Sequence, residues 1–126
     1  MQNVPVKKVD DQELPIPTEW RSALKQLADK AVFGTNIEPS SNIEIGEIDS
    51  KTRSSHHYNI ASYPDPLGPL NEQSWKTSIY IWDSPHWALL VDLTDADGHV
   101  TDLVLHAKVH ETDKGFLIEP GLIYVP

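Results

Sequence analysis

The sequence predicts an α+β fold, with one or two N-terminal helices packed on a C-terminal four-stranded antiparallel β-meander. Two observations lead to this prediction. Residues 87–93 and 100–109 are typical of two β-strands, and the turn between them contains Asp97-Gly98, a residue pair typical of tight hairpin turns. Residues 19–33 instead place apolar side chains at helical spacing and end before Gly34, which favours an amphipathic helix.

The N-terminal part divides into an arm and the start of the domain. Residues 1–17 are rich in Val, Pro and charge, which predicts an extended arm with a short edge strand around Val4 to Val9. Thr18 is expected to cap the helix, and residues 18–126 are expected to form a single α+β domain. The segment 35–69 is harder to interpret from its pattern.

Within that segment the residues indicate a loop followed by two short elements. Ile43 to Ile48 suggests a short strand broken at Gly46, and Asp49 is a candidate cap for a second helix that ends near Tyr63. Four strands are predicted after the proline-rich loop at 64–69, over residues 75–82, 87–93, 100–109 and 116–125. A bulge or edge position is expected at Pro120-Gly121.

The hairpin around Asp97-Gly98 determines which side chains share a face, because a slip of one residue exchanges the faces. A two-residue turn would pair apolar with polar side chains. A three-residue turn from Ala96 to Gly98, with the glycine in the left-handed conformation, pairs apolar with apolar and is therefore predicted. The expected pairs are Trp87 with Ala107, Leu89 with Leu105, and Val91 with Leu103.

On the other face this register places Asp92 directly opposite Asp102, with Cβ atoms about 5 Å apart. Two like charges so placed destabilise the pair unless a cation, a bound group or a raised pKa relieves them. His106 and Lys108 are on the same predicted face and could supply that relief. The alternative interpretation is an exposed pair that water solvates.

Trp82 is the remaining candidate for partner binding. Trp75 and Trp82 are seven residues apart, so in a regular strand they point to opposite faces and one of them is exposed. An exposed tryptophan often anchors a protein interface, although the loop at 64–69 could equally cover it. The predicted partner-binding residues are Asp92, Asp102, His106, Lys108 and Trp82.

No catalytic residue, metal site or cofactor is expected. The chain has no cysteine, and His106 and His110 are about 13 Å apart along one strand. Asp95 to His99 resembles the start of a calcium loop but lacks the glycine at the sixth position and the glutamate at the twelfth. The segment Asp83-Ser84-Pro85-His86 is better explained as a turn, so an enzyme stays possible but is not favoured.

The charge narrows the class of partner. Nineteen acidic and ten basic side chains give a formal net charge of −9, which argues against nucleic acid and anionic membranes as partners. The same charge would speed association with a basic protein surface. No run approaches the roughly 20 apolar residues of a membrane helix, and a cytoplasmic location is expected. The oligomeric state stays open.

Several short sequence segments between residues 17 and 126 resemble an uncharacterised bacterial domain family of unassigned function. Among them are Trp87-Ala-Leu-Leu-Val-Asp-Leu93, Thr101-Asp-Leu-Val-Leu105 and Ile123-Tyr-Val-Pro126. The resemblance implies a single bacterial domain and no particular activity. The leading hypothesis is a non-catalytic acidic binding protein, namely an immunity-type inhibitor that neutralises a basic toxin domain such as a nuclease. The alternative is a pocket-forming α+β domain that binds or converts a small molecule. In such a domain a curved sheet and a helix would enclose a cavity, with Asp92, Asp102 and His106 at its mouth.

Overall fold

A mixed β-sheet forms the centre of the structure, a computed structural model that describes residues 3–40 and 42–126. Its seven strands are β1 (Leu14–Pro15), β2 (Ile43–Ile45), β3 (Leu67–Gly68), β4 (Ile79–Asp83), β5 (His86–Asp95), β6 (Val100–Thr112) and β7 (Gly115–Tyr124). The helices of the described residues are α1 (Thr18–Phe33), α2 (Ser50–Ser62) and α3 (Glu72–Thr77). None of them has the length and apolar character needed to cross a membrane.

The strand order is β1-β4-β5-β6-β7-β2, and β3 pairs with the end of β5 that β4 leaves free. Strands β4 to β7 form an antiparallel meander, so the α+β class with N-terminal helices and a C-terminal antiparallel sheet is confirmed. The predicted number of four strands is wrong. Three short segments add to the sheet, and β2 pairs with β7 in parallel. They pair with backbone groups that would otherwise be left at the sheet edges.

Helix α1 packs on one face of the sheet through a cluster of aromatic rings. Trp20 is fully buried, and its ring centroid lies 5.4 Å from that of Tyr80 and 5.3 Å from those of Trp87 and Phe116. The helix ends where predicted, at Gly34, whose φ of 73° is the left-handed conformation that glycine adopts without strain. Thr18 is not the cap: it is the first helical residue, and its hydroxyl accepts from the backbone N–H of Val4.

Helix α2 covers part of the edge of β7 with polar side chains. Asp49 caps this helix as predicted, accepting from the backbone N–H of Thr52 at 2.7 Å. His56 Nε2 lies 2.7 Å from the carbonyl oxygen of Gly121, and Asn59 donates to the carbonyl oxygen of Ile123, also at 2.7 Å. These side chains replace a further strand along that stretch of β7, which explains how a helix with a thin apolar face is held.

The predicted strand 75–82 is only partly correct, because its first residues form α3. Asn71 caps this short helix: its side chain accepts from the N–H of Gln73, and its own N–H donates to the Ser74 hydroxyl. Trp75 is consequently buried rather than placed on a strand. The capping residues were present in the sequence, but the aromatic and β-branched composition that follows them favoured a strand.

The arm is held against the sheet by polar contacts. The backbone N–H of Lys7 donates to the Tyr80 hydroxyl at 2.8 Å, and the Trp87 indole N–H donates to the Lys7 carbonyl at 2.9 Å. The edge strand expected around Val4 to Val9 is instead β1, the two residues that pair with β4. Residues 1 and 2 of the predicted arm, and residue 41 of the predicted loop, lie outside the described residues.

The predicted three-residue turn is confirmed. Asp95 accepts from Gly98 and donates to His99 through the backbone, and Gly98 has the left-handed φ of 88°. Next to the turn Thr94 faces Val100, as that turn requires. From Asp92 back to His86, the register is shifted by two residues. The pairs are therefore Trp87 with Val109, Leu89 with Ala107, and Val91 with Leu105, not those predicted.

An irregularity centred on Thr101 produces this shift. Its hydroxyl donates to the Leu93 carbonyl at 2.9 Å and accepts from the Leu103 N–H at 3.1 Å, in place of regular ladder bonds. A shift of two residues keeps every side chain on its predicted face. The irregularity expected at Pro120-Gly121 is also present, between β6 and β7. A Cβ atom at Gly121 would lie 2.6 Å from the His106 carbonyl oxygen, so glycine is needed there.

Candidate partner-binding site

The side chains of β5 and β6 that point away from α1 form a surface that we call the open face. Along β5, buried residues alternate with partly exposed ones, and the partly exposed set belongs to this surface. The mixture of apolar and titratable groups differs from the core face, which is apolar. The open face consists of His86, Ala88, Leu90 and Asp92 on β5 with Val104, His106, Lys108 and His110 on β6.

Asp92 and Asp102 are not opposed, so the predicted pairing of these two carboxylates is wrong. Asp92 faces Val104, and its carboxylate accepts from the Thr77 hydroxyl at 2.5 Å. Asp102 lies in the irregular stretch of β6 and accepts from the Tyr63 hydroxyl at 2.6 Å. This hydrogen bond raises the pKa of Tyr63, because the phenol donates to the carboxylate only while it is protonated.

His106 and Lys108 lie on the open face as predicted, but neither bonds to the two aspartates. The His106 ring stacks on Tyr124 with centroids 4.2 Å apart and an interplanar angle of 3°. Its Nδ1 lies 3.3 Å from the Leu122 carbonyl oxygen. Lys108 is exposed and stands between Ala88 and Glu119 in the ladder. The predicted relief of a carboxylate pair by these two groups therefore does not occur.

Trp82 lies on the other side of the sheet from these residues. It pairs with Trp87 across β4 and β5, and the two ring centroids are 4.8 Å apart. Lys8 Nζ sits 5.3 Å from the Trp82 ring centroid, which is within cation–π range. The prediction that one of Trp75 and Trp82 is exposed is wrong: Trp75 belongs to a helix, and Trp82 packs partly buried against the core.

Two segments, 63–73 and 92–102, meet at one end of the sheet and form a surface that we call the acidic end. The backbone N–H of Ala96 donates to the Pro66 carbonyl at 2.9 Å, and the Thr94 hydroxyl donates to the Pro69 carbonyl at 2.7 Å. The two segments contain no Lys or Arg. They carry six carboxylates, those of Asp65, Glu72, Asp92, Asp95, Asp97 and Asp102.

Hydrogen bonds to the backbone hold the tip of the acidic end in one conformation. Asp95 Oδ1 accepts from the N–H groups of Asp97 and His99, both at 2.9 Å. The side-chain ligand atoms of these three residues lie within 4.8 Å of one another, a grouping that could hold a metal ion. The turn accounts for it without an ion, because an aspartate at this position commonly bonds to the backbone two residues on.

A row of histidines and carboxylates crosses the opposite end of the open face. His86 and His110 face each other with ring centroids 5.6 Å apart. His86 Nε2 lies 3.7 Å from Asp83 Oδ2, and His110 Nε2 lies 3.2 Å from Glu119 Oε1. This pair was not predicted from the sequence, because the predicted register placed His86 opposite Lys108. No signal at the turn reveals the irregularity that brings the histidines together.

Two of the grooves on the surface of the described residues bear on the pocket hypothesis. One, of about 640 Å³, follows β2. The second, of about 550 Å³, lies between the end of α2 and the ends of β6 and β7, and Tyr63, Asp102 and Tyr124 line it. The pocket hypothesis expected Asp92, Asp102 and His106 at the mouth of a cavity between helix and sheet. Of these three only Asp102 lines this second groove, and side chains fill the space between α1 and the sheet.

Comparison with known proteins gave one family. No curated protein and no solved structure matched the chain. A family model described as "Domain of unknown function (DUF7668)" matches residues 34–126, which include α2, α3 and β2 to β7. The resemblance to an uncharacterised domain family is thereby confirmed, whereas the bacterial origin stays a prediction. Because the match covers most of its length, the chain belongs to this family of unknown function.

Proposed function

We propose that the protein is a non-catalytic binding protein that holds the basic surface of another protein against its acidic end. The class that fits best is an immunity-type inhibitor of a basic toxin domain, such as a nuclease. The observation that supports this proposal is the set of six carboxylates in two touching segments that contain no Lys or Arg. A binding site for phosphates requires the complementary positive charge, and carboxylates can occupy it in place of the phosphates.

The six carboxylates have different roles in this proposal. Asp65, Glu72, Asp97 and Asp102 are exposed and would contact the partner. Asp92 and Asp95 are partly buried and bond to Thr77 and to the backbone of the turn, so they support the shape of the surface. A surface that is already ordered loses less conformational entropy when it binds, which favours affinity. His106 and Lys108 on the open face would lie beside this contact rather than at its centre.

The experiment uses a partner captured by the tagged protein at low salt, identified and then purified. The partner should be basic, its activity should be inhibited in a stoichiometric titration, and affinity should fall steeply between low and high salt. Replacing Asp65, Glu72, Asp97 and Asp102 together by Lys should weaken binding about a hundredfold, since each lost pair and new repulsion adds to the loss.

A matched control makes the same charge change elsewhere. Glu13, Glu19, Glu38 and Asp113 are exposed and lie outside the acidic end, so replacing these four by Lys should change affinity much less. Equal losses in the two variants would show that only net charge matters. A purified partner that the first variant binds as tightly as the native protein does would refute the proposal.

The groove beside Tyr63 supports the second candidate, a small-molecule binding function. Its volume of about 550 Å³ is in the range of ligand sites, and it combines two tyrosines with Asn59 and Asp102. A compound that raises the melting temperature of the native protein, but not that of Tyr63→Ala, would support this function. A screen in which every stabilising compound acts equally on both proteins would exclude the groove as the site.

A further inference from the structure

We propose that the free edge of β2 binds an extended, basic peptide segment as an added β-strand. This inference goes beyond the proposed function, because it concerns a different surface. Strand β2 is the last in the sheet order, next to β7 only. Its N-terminal end lies beside the β6–β7 turn, where Phe116 donates to the Asn42 carbonyl, whereas the acidic end surrounds the β5–β6 turn.

The backbone of β2 is used on one side only. Phe116 N–H donates to the Asn42 carbonyl at 2.9 Å, and Gly46 N–H donates to the Ile118 carbonyl at 2.8 Å. In a parallel pair, alternate residues direct their N–H and C=O groups to the neighbouring strand. Asn42, Glu44 and Gly46 therefore face β7, and the backbone groups of Ile43 and Ile45 point away from it. Throughout residues 3–40 and 42–126, no hydrogen-bond partner is found for those outward groups.

A groove provides room beside this edge. The cavity of about 640 Å³ follows the strand from Ile43 to Ile48, with the segment 37–40 as part of its lining. The backbone N–H of Glu38 donates to the Gln26 side chain of α1 at 2.6 Å, which holds that segment in place. Ile37 and Ile45 line the groove and are partly exposed, so the groove combines apolar contacts with free backbone groups. These are the two features by which a sheet edge binds an extended peptide.

The charges beside β2 favour a basic peptide. Glu38, Glu44 and Glu47 line the groove and are exposed. The basic side chains there are Lys30 and Arg53, and the Arg53 guanidinium already donates to the Ile48 carbonyl at 3.1 Å. A peptide with Lys or Arg at alternate positions would direct these side chains towards the glutamates, with its apolar residues towards the isoleucines.

The same charges disfavour a second copy of the chain as the occupant. If two β2 strands paired antiparallel along their whole length, Glu44 of each copy would lie opposite Glu44 of the other. Like charges directly opposed across a ladder are destabilising. The other edges offer less space, since α2 covers the second half of β7 and β1 contains Pro15.

The test uses a fluorescein-labelled, amidated hexapeptide of alternating lysine and valine, with anisotropy for affinity and amide NMR shifts for the location. We expect the largest shifts at Ile43 and Ile45. N-methylation of the peptide amides that face the protein should weaken binding at least about tenfold, because it removes the ladder donors. Glu44→Lys should weaken binding at least about fivefold. Asp65→Lys, the same charge change at the acidic end, should alter it less than about twofold.

A second variant keeps the test independent of charge. Ile45→Pro removes an outward N–H that the sheet does not use, and a melting curve shows whether it folds. If it folds, it should bind the peptide more weakly, and if it does not, the N-methylated peptide decides the question. The proposal is overturned if that peptide binds as tightly as its parent, or if the shifts fall in 92–102. Since the two proposals respond to Glu44→Lys and Asp65→Lys respectively, the failure of one does not imply the failure of the other.

Discussion

The two faces of the β5–β6 ladder are built from the same strands but differ in their exposure to solvent. On the face that α1 covers, Trp87, Leu89 and Val91 have at most 1% of their surface exposed. On the open face Asp92 and His106 are partly exposed, and Lys108 is exposed. One pair of strands can therefore place stabilising contacts on one side of the sheet and leave titratable groups in water on the other.

We expect the largest loss of stability from a substitution on the covered face. Trp87→Ala should lower the free energy of unfolding by about 3–5 kcal/mol, because it leaves a cavity among the rings of Trp20, Trp82 and Phe116. It also removes the bond from the indole to the Lys7 carbonyl. Urea denaturation followed by circular dichroism measures the change.

The matched control for this prediction is Leu90→Ala, on the same strand but on the open face. We expect a loss of about 1 kcal/mol or less, because the side chain already meets water in the folded protein. Equal losses for the two variants would mean that the open face is packed like the core, and the comparison would fail.

We expect a smaller effect on the pH dependence of stability, through the buried His56 of α2. Burial lowers the pKa of His56, because the charged imidazolium is disfavoured away from water. The unfolded chain therefore takes up this proton first. The free energy of unfolding therefore decreases as the pH falls from the unfolded-state pKa of 6.5 towards the lower pKa of the folded state. The slope is at most about 1.4 kcal/mol per pH unit.

The free energy of unfolding measured between pH 7.5 and 5 checks this prediction. His56→Gln, which cannot titrate, should reduce the slope, because the shifted group is then absent. The interpretation would be wrong if the slope of His56→Gln equalled that of the native protein.

The smallest expected effect concerns the irregularity that sets both faces. Thr101→Val removes the hydroxyl that bonds to Leu93 and Leu103 and should cost about 1 kcal/mol. Thr112→Val, an exposed position at the other end of β6, should cost less. Amide NMR contacts between β5 and β6 would also report whether the register stays as it is. A native-like stability for Thr101→Val would show that the irregularity does not depend on this hydroxyl.

Prediction from sequence was most accurate where the signal was local. Gly34 and Asp49 mark a helix end and a helix start correctly, and the turn at Gly98 has the predicted conformation. Trp75 was misplaced because the composition of its strand-like neighbours outweighed the cap at Asn71. The positions of the candidate residues were predicted in part: His106 and Lys108 share the open face, but Trp82 does not, because it pairs with Trp87 on the covered face.

The residues of β5 and β6 that face the core could be assigned from the order of residues alone, because side chains alternate along a strand with a period of two. The charge of the two segments that form the acidic end could be read in the same way. That those segments meet, and which residues oppose each other across the strands, could be learned from the folded chain alone. Long-range hydrogen bonds join the segments, and the irregularity at Thr101 accompanies a register shift of two residues that leaves the pattern of faces unchanged.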